Sequence, residues 1–208
     1  MSVRSGKSVN PKQREFFNKR AESWDDTVMH DGRKVEFIAD LLQLKQGDSV
    51  LDVGTGTGVM VPYLEARVGS GGSVTCVDYA ENMIEMARKK FPEDEHPVLA
   101  FMVSDVNEMS MDRQYDAIVC YSCFPHFVDQ PATVEHLSKG LRKGGKLMVA
   151  HSQSRADINK VHLESGEVVE TDYLPTMLEL KEMLEQAGLE ICGSIDDQSM
   201  YVALSRMP

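Results

Sequence analysis

A chain of 208 residues is long enough for one full hydrophobic core and short for two, and 42% hydrophobic with 26% charged residues is an ordinary globular balance. With 22 basic against 33 acidic residues the formal charge is -11, which gives no general pull toward nucleic acid, so a small-molecule partner is expected. No apolar run approaches the ~20 residues of a membrane span, and the polar start MSVRSGKSVNPKQ lacks the apolar stretch of a secretory signal, so a cytoplasmic protein off the membrane, monomer or homodimer, is expected.

Before the first strand come PKQREFFNKRAESWDD and GRKVEFIADLLQL, the second an amphipathic helix with Val35, Ile38 and Leu42 on one face. From there apolar strand-like runs alternate with helical patterns. Strands are expected at 49–53, 73–77, 98–103, 115–121, 146–150, 190–194 and 200–205, and helices near 59–67, 80–90, 132–141 and 176–187. Such alternation predicts an α/β fold, a parallel sheet covered on both faces. The last two strands are joined only by Asp196, Asp197 and Gln198, too short for a crossover, so they form an antiparallel hairpin. The single domain, 1–208, then carries two expected lid segments, 1–45 and the polar stretch 152–175. Insertions after strand ends are where α/β folds build substrate sites.

Four cysteines are too few for a disulfide scaffold. Cys120 and Cys123 form a CxxC, but they close the apolar run DAIVCYSC with no second pair, which predicts a structural role.

The stretch LDVGTGTGV runs out of the first strand with glycines at 54, 56 and 58. A strand, a tight glycine turn and a helix start let a ligand approach the backbone. Asp78 ends the second strand and suits a ribose diol; Asp105 ends the third, where its carboxylate can accept from an adenine amine beside the Val106 amide. A dinucleotide and S-adenosylmethionine both fit these features. The G-x-G-x-G spacing and the carboxylate of Asp52 beside the loop disfavour a pyrophosphate.

The motifs VLDVGTGTGVMVPYL, VTCVDYAENMIEMARKKF, FMVSDVNEM and YDAIVCYSCFPHFVDQPATVEHLSKGLRKGGKLMVAHS resemble those of class I S-adenosylmethionine-dependent methyltransferases. The likeness is to the small-molecule branch that includes quinone-biosynthesis methyltransferases. It implies a Rossmann-like doubly wound sheet of seven strands in order 3-2-1-4-5-7-6 with strand 7 antiparallel, and S-adenosyl-L-methionine as cofactor. It further implies that Gly54, Thr55 and Gly56 lie against the methionine part, with Asp52 beside them as a cofactor-binding residue, that Asp78 takes the ribose, that Tyr79, Asp105 and Val106 hold the adenine, that backbone near Tyr121 bounds the methionine amine, and that Trp24 of the lid contacts the cofactor. An NAD(P)-dependent oxidoreductase and a non-catalytic S-adenosylmethionine-binding protein are the alternatives.

Methyl transfer from a sulfonium is an in-line displacement that needs positioning first and a base only when the acceptor carries a proton. Of the six histidines, His126 lies on the rim after the fourth strand and is the expected base. His151, His162 and Arg155 are the expected acceptor contacts, Arg155 as a two-pronged donor to a carboxylate or phosphate. His96 and His136 are expected at the surface. The histidines match no ligand motif, so no metal is assigned.

Overall fold

The computed structural model describes residues 10–165 and 168–208; positions 1–9 of the expected N-terminal lid and 166–167 of the expected insertion lie outside the described residues. Seven strands form one sheet: β1 (Ser49–Val53), β2 (Ser73–Asp78), β3 (Leu99–Val103), β4 (Tyr115–Tyr121), β5 (Leu141–His151), β6 (Glu190–Asp196) and β7 (Tyr201–Arg206). Their order is β3-β2-β1-β4-β5-β7-β6. β1 to β5 run parallel, and β7 pairs antiparallel with both β5 and β6. The parallel registers bring Val53, Asp78, Val103, Tyr121 and His151 to one edge of the sheet. A ligand site belongs at that edge, because every βα turn opens there.

Eight α-helices of the described residues flank the sheet or its edge: α1 (Pro11–Arg20), α2 (Trp24–Thr27), α3 (Gly32–Leu41), α4 (Val61–Val68), α5 (Glu81–Lys90), α6 (Gln130–Ser138), α7 (Arg155–Glu164) and α8 (Met177–Gln186). On one face α3, α4 and α5 bury Val35, Ile38, Leu64 and Ile84 against Val50, Val74 and Val119. On the other, α6 and α8 bury Leu137, Leu180 and Leu184 against Ile118, Leu147 and Val149. Each such aliphatic side chain contributes roughly 1.5–3 kcal/mol on leaving water. Thr176 and Glu179 form a reciprocal cap at the start of α8. No described helix is long and apolar enough to cross a membrane.

Three differences from the sequence reading go beyond a shift of one or two residues at an element's end. β5 begins at Leu141 rather than 146, because Leu141 pairs with Tyr115 across an irregular register before the regular ladder starts at Lys146. In consequence α6 stops at Ser138; it also starts early, at Gln130, since the Asp129 side chain accepts from the Ala132 N–H. Finally, α3 is built into the core, with Val35 and Ile38 wholly buried, so of the N-terminal stretch only α1 and α2 lie over the sheet edge. The insertion after β5 is likewise anchored, by Ile158, Val169 and Leu174.

Candidate functional site

The sheet edge opens into one large cavity lined by the glycine turn, the ends of β2 and β4, the Ser104–Asn107 segment and the helices α1 and α2. Gly54 and Gly56 turn the chain with φ of 64° and 56°, a conformation in which a side chain clashes with its own backbone. At Gly54 a Cβ would also fall 2.5 Å from the Cys123 Cβ, whereas at Gly56 it would meet nothing within 4 Å. Gly54 is therefore glycine for packing, and Gly56 leaves its space to the cavity.

Two carboxylates hold this turn. Asp52, 1% exposed, lies beneath it and accepts from Thr55 Oγ1 at 2.6 Å. Burial pushes the Asp52 carboxyl up to about 7, opposed by the Thr55 hydrogen bond and assisted by the charge of Asp78. Asp78 accepts from the Gly56 N–H at 2.9 Å and the Ala80 N–H at 2.8 Å. Burial raises it too, to about 6; the backbone donors at Ala80 and Gly56 restrain the rise. Asp105 uses Oδ1 for the Asn107 N–H and side chain, while its Oδ2 is buried with no partner. A buried carboxylate oxygen without a donor is costly. Asp105 is one of the residues that line the cavity.

Of the residues expected at the site, Trp24, Gly54, Thr55, Gly56, Asp78, Tyr79, Asp105, Val106, Tyr121 and His126 line this one cavity. Asp52 does not: the turn folds over it, and it acts on Thr55 from below. His151, Arg155 and His162 also stand outside the lining. His151 is 2% exposed with neither ring nitrogen partnered, and burial, then the nearby His126, His162 and His30, lower its pKa to about 3. His162 packs against the His126 ring, centroids 5.0 Å apart, and burial lowers its pKa. Arg155 begins α7, behind the Ser154 cap. His96, expected at the surface, is partly exposed and lies 2.8 Å from Glu65 and edge-on to Phe91. His136 is half-buried, its Nε2 enclosed without a partner.

Several contributors escaped the sequence reading. Ser122, just past β4, holds a left-handed φ of 57°, unusual without glycine, and its N–H donates to Ala150. Thr57 donates to Asp25, which also pairs with Lys90, tying α2 to the glycine turn and α5. Although burial pushes Asp25 up, those hydrogen bonds bring it below the ordinary carboxyl value. Tyr121 donates to Ser152 at 2.8 Å and lies 2.9 Å from His30 Nδ1. Last, Gln13 of α1 bridges Tyr79 and Asp172: the Tyr79 hydroxyl donates to its Oε1 at 2.9 Å, and its Nε2 donates to Asp172 at 2.6 Å. The same Asp172 oxygen lies 2.7 Å from His126 Nδ1. These partners are far apart in sequence, and no spacing rule pairs them.

Among the described residues no group of three or more His, Cys, Asp or Glu side chains is placed to hold a metal. Cys120 and Cys123 are buried free thiols, Cys123 donating to the Val53 carbonyl at 3.1 Å.

The family model described as a methyltransferase domain matches residues 50–145. Over 100 residues the chain is 33% identical to a malonyl-[acyl-carrier protein] O-methyltransferase of Priestia megaterium, covering 48% of this chain and 35% of that protein. It is 26% identical over 147 residues to a ubiquinone biosynthesis O-methyltransferase of Hydrogenovibrio crunogenus, covering 67% and 59%. The chain thus spans less than two thirds of these relatives' own lengths. Among solved structures, a SAM-dependent methyltransferase from Aquifex aeolicus superposes with a TM-score of 0.69 at 21% identity, over 96% of this chain and 100% of that one. The fold is the seven-stranded Rossmann-like one that the resemblance implied.

Proposed function

We propose that this chain, with its methyltransferase-domain match over residues 50–145 and its seven-stranded fold, is a class I S-adenosylmethionine-dependent methyltransferase that moves a methyl group from S-adenosylmethionine to a small-molecule acceptor by direct in-line displacement. The observation that carries the reading is the convergence of the glycine turn, Asp78 and the unpartnered Asp105 oxygen on one cavity.

The residues fit that cofactor. Asp78, its backbone bonds spent on Gly56 and Ala80, turns its remaining lone pairs to the ribose hydroxyls. The free Asp105 oxygen accepts from the adenine amine, the Val106 N–H faces a ring nitrogen, and Tyr79 flanks the ring. Gly54, Thr55 and Gly56 hold the methionine portion against the backbone, with Trp24 and Tyr121 closing its far end. Asp52 supports Thr55 and puts a second carboxyl under the turn. Two carboxyls whose ionisation is already resisted repel a pyrophosphate and favour a ligand carrying ammonium and sulfonium charges. That argues against the NAD(P)-dependent oxidoreductase.

When bound, the cofactor supplies an electrophilic methyl on a good leaving group. The chain's part is to orient the acceptor and exclude water, for which α1 and α2 close the cavity with Phe17 and Trp24, edge-to-face at 5.6 Å. His126, on the rim of the same cavity, takes the acceptor's proton where there is one. His162 backs this rim through its ring contact with His126, while His151 and Arg155 stand outside the cavity lining.

The test is production of S-adenosylhomocysteine from S-adenosylmethionine against a panel of small hydroxylated, aminated and thiol acceptors. Acceptor-dependent turnover, abolished in Asp78→Ala, supports the reading. Tight binding with no turnover across the panel points instead to a non-catalytic cofactor-binding protein.

A further inference from the structure

His126 does not stand alone on the rim. Its Nδ1 lies 2.7 Å from Asp172 Oδ2, in a contact where both side chains are 14% exposed. A carboxylate only accepts, so the hydrogen on this contact belongs to the imidazole: the neutral ring is the Nδ1–H tautomer, with its lone pair on Nε2. Nε2 makes no hydrogen bond among the described residues and is not sealed from the cavity. In water a free imidazole prefers the opposite tautomer, so the arrangement is imposed by the fold.

Asp172 is itself held. Gln13 donates to the same oxygen at 2.6 Å, and the Tyr79 hydroxyl fixes the Gln13 carbonyl at 2.9 Å. Phe17 of α1 packs edge-on to the His126 ring, centroids 4.9 Å apart. The ring is thus fixed from three sides, by Phe17 of α1, Asp172 after α7 and His162 of α7.

We propose that Asp172 is a positioning residue that presents His126 Nε2 as a general base, so that the acceptor carries a proton that must leave during transfer, and that this acceptor is a hydroxyl compound. The proposal rests on the methyltransferase reading. In the step, the acceptor O–H proton passes to Nε2 while the oxygen forms a bond to the methyl carbon. The carbon–sulfur bond breaks with its electron pair going to sulfur. The imidazolium so formed is stabilised by Asp172 and later releases its proton to water. An acceptor that attacks through a lone pair with no proton to lose, such as a tertiary amine, makes no use of this arrangement. Tyr121, Trp24 and Phe127 give the cavity flat apolar walls suited to a planar hydroxylated acceptor.

The experiment is two-bond nitrogen–proton correlation NMR on the protein with labelled histidine, at a pH where the rings are neutral, with His126 assigned through His126→Gln. The charged and titratable groups around His126 are Asp172, His162, His151 and Asp78, and all remain in wild type. We expect the Nδ1–H pattern in wild type, retained in Asp172→Asn, whose amide oxygen still accepts, and reversed in Asp172→Leu. An Nε2–H pattern in wild type, or no change in Asp172→Leu, overturns the dyad.

Binding of S-adenosylhomocysteine is measured on the same samples, so failure of the cofactor reading is seen separately from failure of the dyad. In turnover, hydroxyl acceptors are expected to lose ~10²-fold or more in kcat in His126→Gln. Asp172→Leu is expected to lower kcat far more than it changes KM, with Asp172→Asn recovering part of the loss. Turnover confined to acceptors without a removable proton overturns the assignment of acceptor class.

Discussion

Asp52→Asn isolates the electrostatics under the glycine turn. The Asp52 carboxyl is raised from an ordinary 3.8 to about 7 by burial, with Asp78 adding to the rise and Thr55 opposing it. A carboxyl raised on folding contributes stability that is present below its unfolded value and lost as pH climbs through the folded one. Ionising it costs the ligand-free fold about 4 kcal/mol by pH 8, of which roughly 1.5 kcal/mol is already lost at pH 5. Asparagine keeps an acceptor for Thr55 Oγ1 and carries no charge. In urea unfolding of the ligand-free protein, Asp52→Asn should therefore gain on wild type by about 2–3 kcal/mol between pH 5 and pH 8. Asp78 contributes a slope of the same sign in both proteins, and loss of its repulsion with Asp52 makes that slope shallower in Asp52→Asn, which adds to the expected gain. Parallel pH profiles for the two proteins would refute the reasoning, because they would mean that Asp52 ionises as freely in the fold as out of it.

Three further substitutions probe the site. Gly54→Ala forces a left-handed alanine into a Cβ contact 2.5 Å from Cys123 and should cost about 2–4 kcal/mol in thermal or urea unfolding; an unchanged melting temperature would contradict the packing account. Asp105→Ala should weaken S-adenosylhomocysteine binding by roughly 10-fold or more. The loss should vanish for the analogue whose adenine amine is replaced by a carbonyl, and an equal loss for both ligands would mean the free oxygen does not read the amine. Lys34 donates to the carbonyls of Ser152 at 3.1 Å and Ser199 at 2.7 Å. Lys34→Met should lower the melting temperature by about 4–8 °C, the equivalent of about 2 kcal/mol in a chain this size.

The sheet was legible in the sequence because its signal is local. β1 and β4 fall within the expected limits because each is a short apolar run ended by a glycine turn or a break in pattern. The β6–β7 hairpin followed from a connection too short for anything else. The residues lining the cavity were legible for a related reason: Asp78 ends β2 and Asp105 follows β3 by two residues, and parallel register carries both to the same edge. What stayed hidden depends on contacts across the chain. Asp52 stands one residue short of the end of β1, in register with Cys76 rather than Asp78, and the turn that follows folds over it, so its carboxyl supports Thr55 while Asp78 lines the cavity. Gln13 and Asp172 meet across 159 positions, and neither side chain has a local pattern that marks it. α3 looked like part of a lid because it precedes the first strand, yet its Val35 and Ile38 stripe completes the core on one face of the sheet.

The central claim is that the cavity above the glycine turn holds S-adenosylmethionine. Calorimetric titration with S-adenosylmethionine and S-adenosylhomocysteine, on wild type and Asp78→Ala with NAD as the control, tests it most directly. Losing two hydrogen bonds to a charged acceptor removes about 3 kcal/mol or more. The account predicts that wild type binds both sulfur ligands and not NAD, and that Asp78→Ala binds each at least ~100-fold more weakly. Binding of NAD with neither sulfur ligand would contradict it.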